Sequence, residues 1–381
     1  MKTPDLFAQY PSNTPVGSGN NKFLEITPGT YTYRMVIQPK FYGKHTWRFW
    51  YSNIVDSTWN MGAVSRSGLC GSRWQLLSAS VGVSKCNDLF AAPLSDLTPV
   101  TYEGEPSRTV QPAEQFWSDP VTLDIPAGNY LVFSWCVSFE KGAILPCTPD
   151  SQVMCGIADG DHSADTDHTA FRLSTETVMP NLFGADLPVS TRMIFVGDSI
   201  TQGIGSDPYQ YNHWVAQISR NIGDQISVWD IGLGYARAQD LGRNNAWLGK
   251  AMHGDIVCIM LGVNDLLQGI NEEEIFDSLW TAIQALRRNN PAVRIVLLTT
   301  PPFDYQGDTL YRWRNLIRRQ KNVLRGVVDG LFETAPVWGK PSPEEHLSLY
   351  GGHPNARGST AMAKAFCDWA ARPEQDRIFR P

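Results

Sequence analysis

The hydrophobic period of this chain changes near its middle, and that change restricts the fold more than any single motif. Before about residue 185, apolar and polar residues alternate. Residues 31–37, 45–51, 121–125 and 130–138 have period two and are rich in aromatic and β-branched side chains. Pro126-Ala-Gly-Asn129 separates the last two runs and is a turn sequence. Short strands punctuated by Gly, Pro and Asn, with no long helical pattern, predict an all-β sandwich or jelly roll over residues 1–185. After residue 190 the strands are short, mostly apolar runs, at 193–196, 226–230, 256–261 and 293–298. That is the profile of parallel strands covered on both faces.

Helices fill the gaps between these runs. Residues 271–290 open with Asn271 and three glutamates, a capped and dipole-matched start. Ile275, Phe276, Leu279, Ile283 and Leu286 then recur at helical spacing, and the segment ends in Arg-Arg-Asn-Asn-Pro. An amphipathic run begins near Tyr211, and further helices are expected at 309–327 and 361–371. Alternating strands and helices predict an α/β domain over 190–381, a parallel sheet between two helical layers. The connection between domains is expected at 183–191. A chain of 381 residues accommodates two or three domains at about 150 residues each.

Composition narrows the function. A net charge of −6 and a pI near 5.7 argue against a nucleic-acid partner, which needs a basic face for phosphates. No apolar run is long enough to span a bilayer, and the first ten residues lack a signal-peptide core. A cytoplasmic protein is expected, unless a leader precedes this sequence. The seven cysteines are odd in number and none has zinc-knuckle spacing. Unpaired thiols in a reducing compartment are expected, with a disulfide among the five N-terminal ones left open.

Chemistry is concentrated where the second-half strands end. The first strand runs into Gly197-Asp198-Ser199-Ile200, which presents a serine at a tight turn. The second ends in Asp230-Ile-Gly-Leu-Gly-Tyr235, a Gly-rich turn able to point backbone N–H groups at an anion. The third ends in Gly262-Val-Asn264-Asp265, whose Asn carries a side-chain donor. His353, in Gly351-Gly-His-Pro-Asn-Ala-Arg-Gly358, precedes the last helix. All four lie on the sheet edge where ligands bind in such folds. Taken singly, each could be a turn or a helix cap. Together they supply a nucleophile, a base and oxyanion donors.

In this order the four blocks resemble the SGNH/GDSL hydrolase superfamily over about residues 190–372. The resemblance implies a flavodoxin-like, three-layer α/β/α hydrolase domain. The N-terminal half, through Arg48-Phe-Trp-Tyr-Ser-Asn53 and residues 118–128, resembles the β domain that precedes some members. The two-domain layout is similar to family-two carbohydrate esterases. By resemblance Ser199 is the nucleophile and His353 the general base. The oxyanion donors are then the Ser199 N–H, the Asn264 amide and a backbone N–H of the second block. The last is either Gly234 or Tyr235, counting from Asp230 where the family usually has Asn; Gly234 is taken.

One position departs from the family. Three residues before the histidine, where the family has Asp, stands Tyr350. In a triad that acid holds the imidazole tautomer, and losing it can cost ~10⁴ in rate. Another acid can substitute, with Glu344, Glu345 and Asp304 the candidates. Alternatively a backbone carbonyl orients His353 in a Ser–His dyad, or the site is weak or dead. The dyad is ranked first, because Ser199, Asn264 and His353 are all present.

The expected function is therefore a serine esterase removing small acyl groups, most readily acetyl, from an oligosaccharide or small-molecule ester, without metal or organic cofactor. The alternatives are a lipase or thioesterase of the same superfamily, and a carbohydrate-binding protein with a vestigial hydrolase domain. The oligomeric state is left open. Trp47 and Trp50, three apart on one strand, must face opposite ways. At least one is expected to be exposed, where a sugar ring can stack, or to lie at the domain interface. Trp214 and Trp247 are either core or walls of the acyl or sugar site. The loop at 159–168 holds four Asp and two His. It is a weak candidate for a hard cation such as calcium, but lacks EF-hand spacing and is expected to be a solvated loop.

Overall fold

In a computed structural model of the chain, residues 5–24, 26–57, 68–91, 94, 96–243, 246–339, 348–349 and 352–380 are described. The chain divides into two units. One comprises Met1–Val55, Leu69–Pro188 and Pro208–Tyr211; the other comprises Asp56–Gly68, Val189–Asp207 and Asn212–Pro381.

The first unit is built from antiparallel sheets. A seven-stranded sheet runs in the order 172–173, 154–159, 29–37, 130–139, 74–84, 97–99, with 108–110 also on 74–84. A four-stranded sheet carries 182–185, 115–117 and 121–125 around the long strand Gly43–Ser52. The Pro126–Asn129 turn, closed by the Asn129 N–H on the Pro126 carbonyl at 3.0 Å, passes the chain from the smaller sheet to the larger one. Aromatic rings join the inner faces: Phe49 lies 4.3 Å from Phe133 and 5.8 Å from Phe183, centroid to centroid. Trp47 and Trp50 do point to opposite faces, yet both are buried. The expected exposed tryptophan is absent from this strand. The outer face is roofed by the short helix Leu6–Gln9, whose Phe7 ring meets Trp50 edge-on at 5.1 Å and Trp117 at 5.0 Å.

The acidic loop at 159–168 closes on a cation of the protein's own. The Arg34 side chain is fully buried and donates to the carbonyls of Asp167 (2.7 Å), His162 (3.1 Å) and Asp165 (2.5 Å), and to Ser134 Oγ (2.6 Å). Its guanidinium stacks on Phe171 at 4.3 Å. Burial lowers its pKa to about 10 against the pull of Asp165 and Asp167. Asp161 accepts from Ser78 and Ser163. Among the described residues no group of three or more His, Cys, Asp or Glu is arranged to hold a metal ion. The seven cysteines are free thiols.

The second unit is a five-stranded parallel sheet: β1 (Thr191–Gly197), β2 (Ile226–Asp230), β3 (Ile256–Met260), β4 (Arg294–Leu298) and β5 (Gly330–Phe332). Its order is β2-β1-β3-β4-β5, the flavodoxin-like winding. Every residue of β2 and β3 is buried, as expected for strands covered on both faces. Met193, Phe195, Val228, Cys258 and Val296 form one core with α1 (Trp214–Asn221) and α4 (Ala356–Ala370). Each large apolar side chain buried there contributes roughly 1.5–3 kcal/mol.

The long helix α2 (Glu272–Asn289) begins as its sequence predicts: Asn271 accepts the N–H groups of Glu273 and Glu274. The next, α3 (Gly307–Asn322), stops five residues short of the expected end, and a single 3₁₀ turn follows at Leu324–Gly326. The three-residue β5 has too few residues to show a period. Among the described residues no helix is long and apolar enough to cross a membrane.

The buried guanidinium makes a prediction. Arg34→Met removes the donors from three main-chain carbonyls, and should destabilise the protein by on the order of 3 kcal/mol. Adding calcium should leave the wild-type melting temperature unchanged. A calcium-dependent rise in melting temperature would show that the loop takes a cation after all.

Candidate active site

Winding order alone brings the blocks together. With β1 between β2 and β3, the loops that follow these strands share one edge. The β1/β3 crevice, where the winding reverses, lies between the Ser199 and Asn264 loops.

Ser199 opens a single helical turn, Ser199–Gln202. Asp198 caps it, its Oδ1 accepting the Ile200 N–H at 3.0 Å, and Gly203 ends it. Ser199 Oγ lies 2.8 Å from His353 Nε2. His353 sits on a two-residue strand, His353–Pro354, paired with Ser348–Leu349. Phe303 meets its ring nearly perpendicularly at 5.5 Å. Gly205 is required beside it: its φ is +97°, and a Cβ there would stand 2.8 Å from the His353 Cβ. Ser206 Oγ and Ser359 Oγ, 3.0 Å apart, tie the Ser199 loop to α4.

The second block is held from both sides. The Leu233 N–H bonds the Gly197 carbonyl at 3.0 Å, and the Gly232 N–H bonds Asp230 Oδ1 at 2.8 Å. Gly232 is pressed against the turn that starts at Ser199, since a Cβ on it would lie 2.4 Å from the Gln202 nitrogen. The N–H groups of Ile231 and Ala236 bond Phe195 and Leu233 carbonyls. Tyr235 has φ +61°, unusual for a non-glycine.

The third block grips the same turn. Asn264 Nδ2 donates to the Ala236 carbonyl at 3.0 Å, leaving its second amide hydrogen for other use. The Asp265 carboxyl accepts from Ala238 N at 2.9 Å and caps the helix Ala238–Gly242. Two indoles pin the loops from below: Trp214 Nε1 donates to the Ile200 carbonyl and Trp247 Nε1 to the Ile231 carbonyl, both at 2.8 Å. Both tryptophans have no exposed surface, so they are struts beneath the loops rather than walls of a substrate pocket. Of the acids considered for orienting His353, Asp304 is exposed and accepts from Gln306 Nε2 at 2.8 Å. Tyr350, Glu344 and Glu345 lie outside the described residues.

Three carboxyls that sequence reasoning left without a site role, Asp198, Asp230 and Asp265, lie buried in these loops. Burial pushes Asp198 up to about 7, with Asp265 adding to the rise and the Ile200 N–H opposing it. Burial likewise pushes Asp230 up to about 8 against the Gly232 N–H, and Asp265 up to about 6 against the Ala238 N–H. His213, the residue before α1, has its Nε2 4.0 Å from Asp230 Oδ2. The only sequence signal was position, since each aspartate ends or closely follows a strand. Phe303 and Gly205 were also missed, because their contact with His353 is long-range.

A raised carboxyl pKa has a definite sign. Between the unfolded value near ~4 and the folded value, the folded chain holds more protons, so stability falls as pH rises. Asp230→Asn keeps an oxygen for the Gly232 N–H but cannot ionise. Its melting temperature should match wild type at or below about pH 4 and exceed it increasingly towards pH 8–9. A variant less stable than wild type across that whole range would show that Asp230 serves as a charge.

Residues 195–361 match the model of the GDSL-like Lipase/Acylhydrolase family, a span that contains Ser199, Gly234, Asn264 and His353. No curated protein matches the sequence. Among solved structures, a family two carbohydrate esterase from Clostridium thermocellum in complex with cellohexaose is similar at 15% identity. It covers 95% of this chain and 98% of its own, with a TM-score of 0.42. A putative lipolytic protein of the G-D-S-L family from Desulfitobacterium hafniense DCB-2 is similar at 21% identity, covering 47% of this chain and 99% of its own, with a TM-score of 0.39. The salicylyl-acyltransferase SsfX3 from a tetracycline biosynthetic pathway is similar at 16% identity, covering 90% and 82%, with a TM-score of 0.41.

Proposed function

We propose that the protein is a serine esterase that removes small acyl groups, acetyl above all, from a carbohydrate. The observation that carries this reading is the 2.8 Å separation of Ser199 Oγ and His353 Nε2 at the sheet edge used by such folds.

In the proposed reaction His353 accepts the Ser199 proton through Nε2, which requires a neutral imidazole protonated at Nδ1. Ser199 Oγ attacks the ester carbonyl. The developing oxyanion is met by the Ser199 N–H, the second hydrogen of the Asn264 amide and the backbone N–H of Gly234. Such donors act at the charge that appears only in the transition state, and one alone is worth ~10²–10³ in rate. His353 then gives its proton to the leaving alcohol, and water repeats the sequence on the acyl-enzyme. No step calls for a metal or an organic cofactor. A Ser–His pair without a family acid is the reading preferred here; of the candidate acids, Asp304 has its carboxylate engaged by Gln306.

The buried tryptophans of the β unit lend nothing to a sugar substrate. Support for that part comes from the two-domain resemblance, in which we read the antiparallel unit as a jelly roll. Acetyl is favoured over a long chain because Ile231 and Leu233, the apolar side chains of the block-two turn, are buried beneath it.

Ser199→Ala should reduce p-nitrophenyl acetate hydrolysis by at least ~10³-fold while the fold is unchanged by circular dichroism. Retained turnover would overturn the assignment. Tyr350→Ala should keep activity within a few-fold. A large loss in a folded Tyr350→Ala variant would make Tyr350 the residue that orients the histidine or the substrate.

A further inference from the structure

The block-two turn contains one prominent residue that the proposed mechanism does not use. From Ile226 to Gly242 the chain is buried or half-buried at every position but one. The exception is Tyr235, 56% exposed. Its neighbours are locked in place: Leu233 to Gly197, Ala236 to Leu233 and to the Asn264 amide, Ala238 to the Asp265 carboxyl. Tyr235 itself is held at φ +61°, a conformation that an L-residue adopts at a cost and that persists where the surroundings impose it. A glycine there would relieve the backbone, yet the position carries the largest exposed ring of the turn.

Its location gives that ring a use. Leu233 is hydrogen-bonded to Gly197, two residues before Ser199, and Tyr235 lies at most about 7 Å of chain beyond Leu233. The ring therefore stands on the same edge as Ser199 and His353. A flat, solvent-facing phenol cannot enclose an acyl chain, which needs an apolar groove. It can cover one face of a ring whose C–H groups point axially and whose hydroxyls stay wet, and a pyranose has that shape.

We propose that Tyr235 is a specificity-determining residue, its ring being the platform on which the sugar of the leaving alcohol rests while Ser199 attacks the ester. This rests on the carbohydrate-esterase reading above. The platform acts on binding of the alcohol portion, so its loss appears in KM for ring-bearing esters and not in the chemistry common to all acetates.

The test compares two acetates on three proteins. Wild type, Tyr235→Phe and Tyr235→Leu are assayed with an O-acetylated methyl pyranoside and with ethyl acetate, whose alcohol has no ring. Leucine retains an L-backbone and apolar bulk but removes the flat face. Tyr235→Leu is expected to raise KM for the pyranoside acetate about five- to tenfold, with kcat within twofold. Its kcat/KM on ethyl acetate should stay within twofold of wild type, and Tyr235→Phe should behave as wild type on both. Equal losses on the two esters would overturn the proposal in favour of a structural role for the turn. So would an unchanged KM for the pyranoside acetate in Tyr235→Leu. Wild type that turns over ethyl acetate but no pyranoside acetate would overturn the carbohydrate reading, and the platform with it.

Discussion

The site depends on β1 lying between β2 and β3. Parallel pairing aligns Phe195 with Asp230 on one side and Gly197 with Met260 on the other, so three loops leave the sheet at nearly the same level. A strand order that placed β1 at an edge would separate the serine from either the Gly-rich turn or the Asn-Asp block. Hydrophobic burial on both faces drives the sheet together, but burial is non-directional. It brings the loops near one another without fixing their atoms.

Directional bonds do that fixing. The Leu233 amide to the Gly197 carbonyl, the Asn264 amide to the Ala236 carbonyl and the Asp265 carboxyl to the Ala238 amide link each loop to the next. Two indole N–H groups hold the first and second loops to the core beneath. The cost is concentrated in Asp198, Asp230 and Asp265, which are buried and resist ionisation. Under the proposed mechanism, pre-set donors need not reorganise when charge develops, and that is the gain against which this destabilisation would be set.

What could be read from sequence follows the range of the interactions. Helix α2 was legible because its cap, its acidic first turn and its period are all local. Strands β1 to β4 were legible as short, mostly apolar runs, whereas β5, with three residues, offered no pattern. Three of the blocks around Ser199 were legible because parallel-sheet topology converts a strand's end into a place on one edge, whereas His353 lies on a separate two-residue strand. Burial by distant segments was not legible. Nothing in a period-two strand announces that Phe7 will cover Trp50. An Asp- and His-rich loop looks like a cation site until Arg34, more than a hundred residues away, fills it. Asp304, placed after a strand like the others, turns to Gln306 instead.

These ranges bear on the histidine. Under the proposed mechanism His353 needs a fixed ring plane, a fixed tautomer and help in carrying a proton. Phe303 on one side and the close approach of Gly205 on the other fix the plane through packing. Packing fixes the plane but carries no charge, so the tautomer and the charge of an imidazolium fall to groups other than these two. At the other end of the proposed reaction, where negative charge gathers on the acyl oxygen, the block-two turn is clamped to Gly197 and to the Asn264 amide. Donors act there through position, so under that mechanism a small displacement of the turn should cost rate directly.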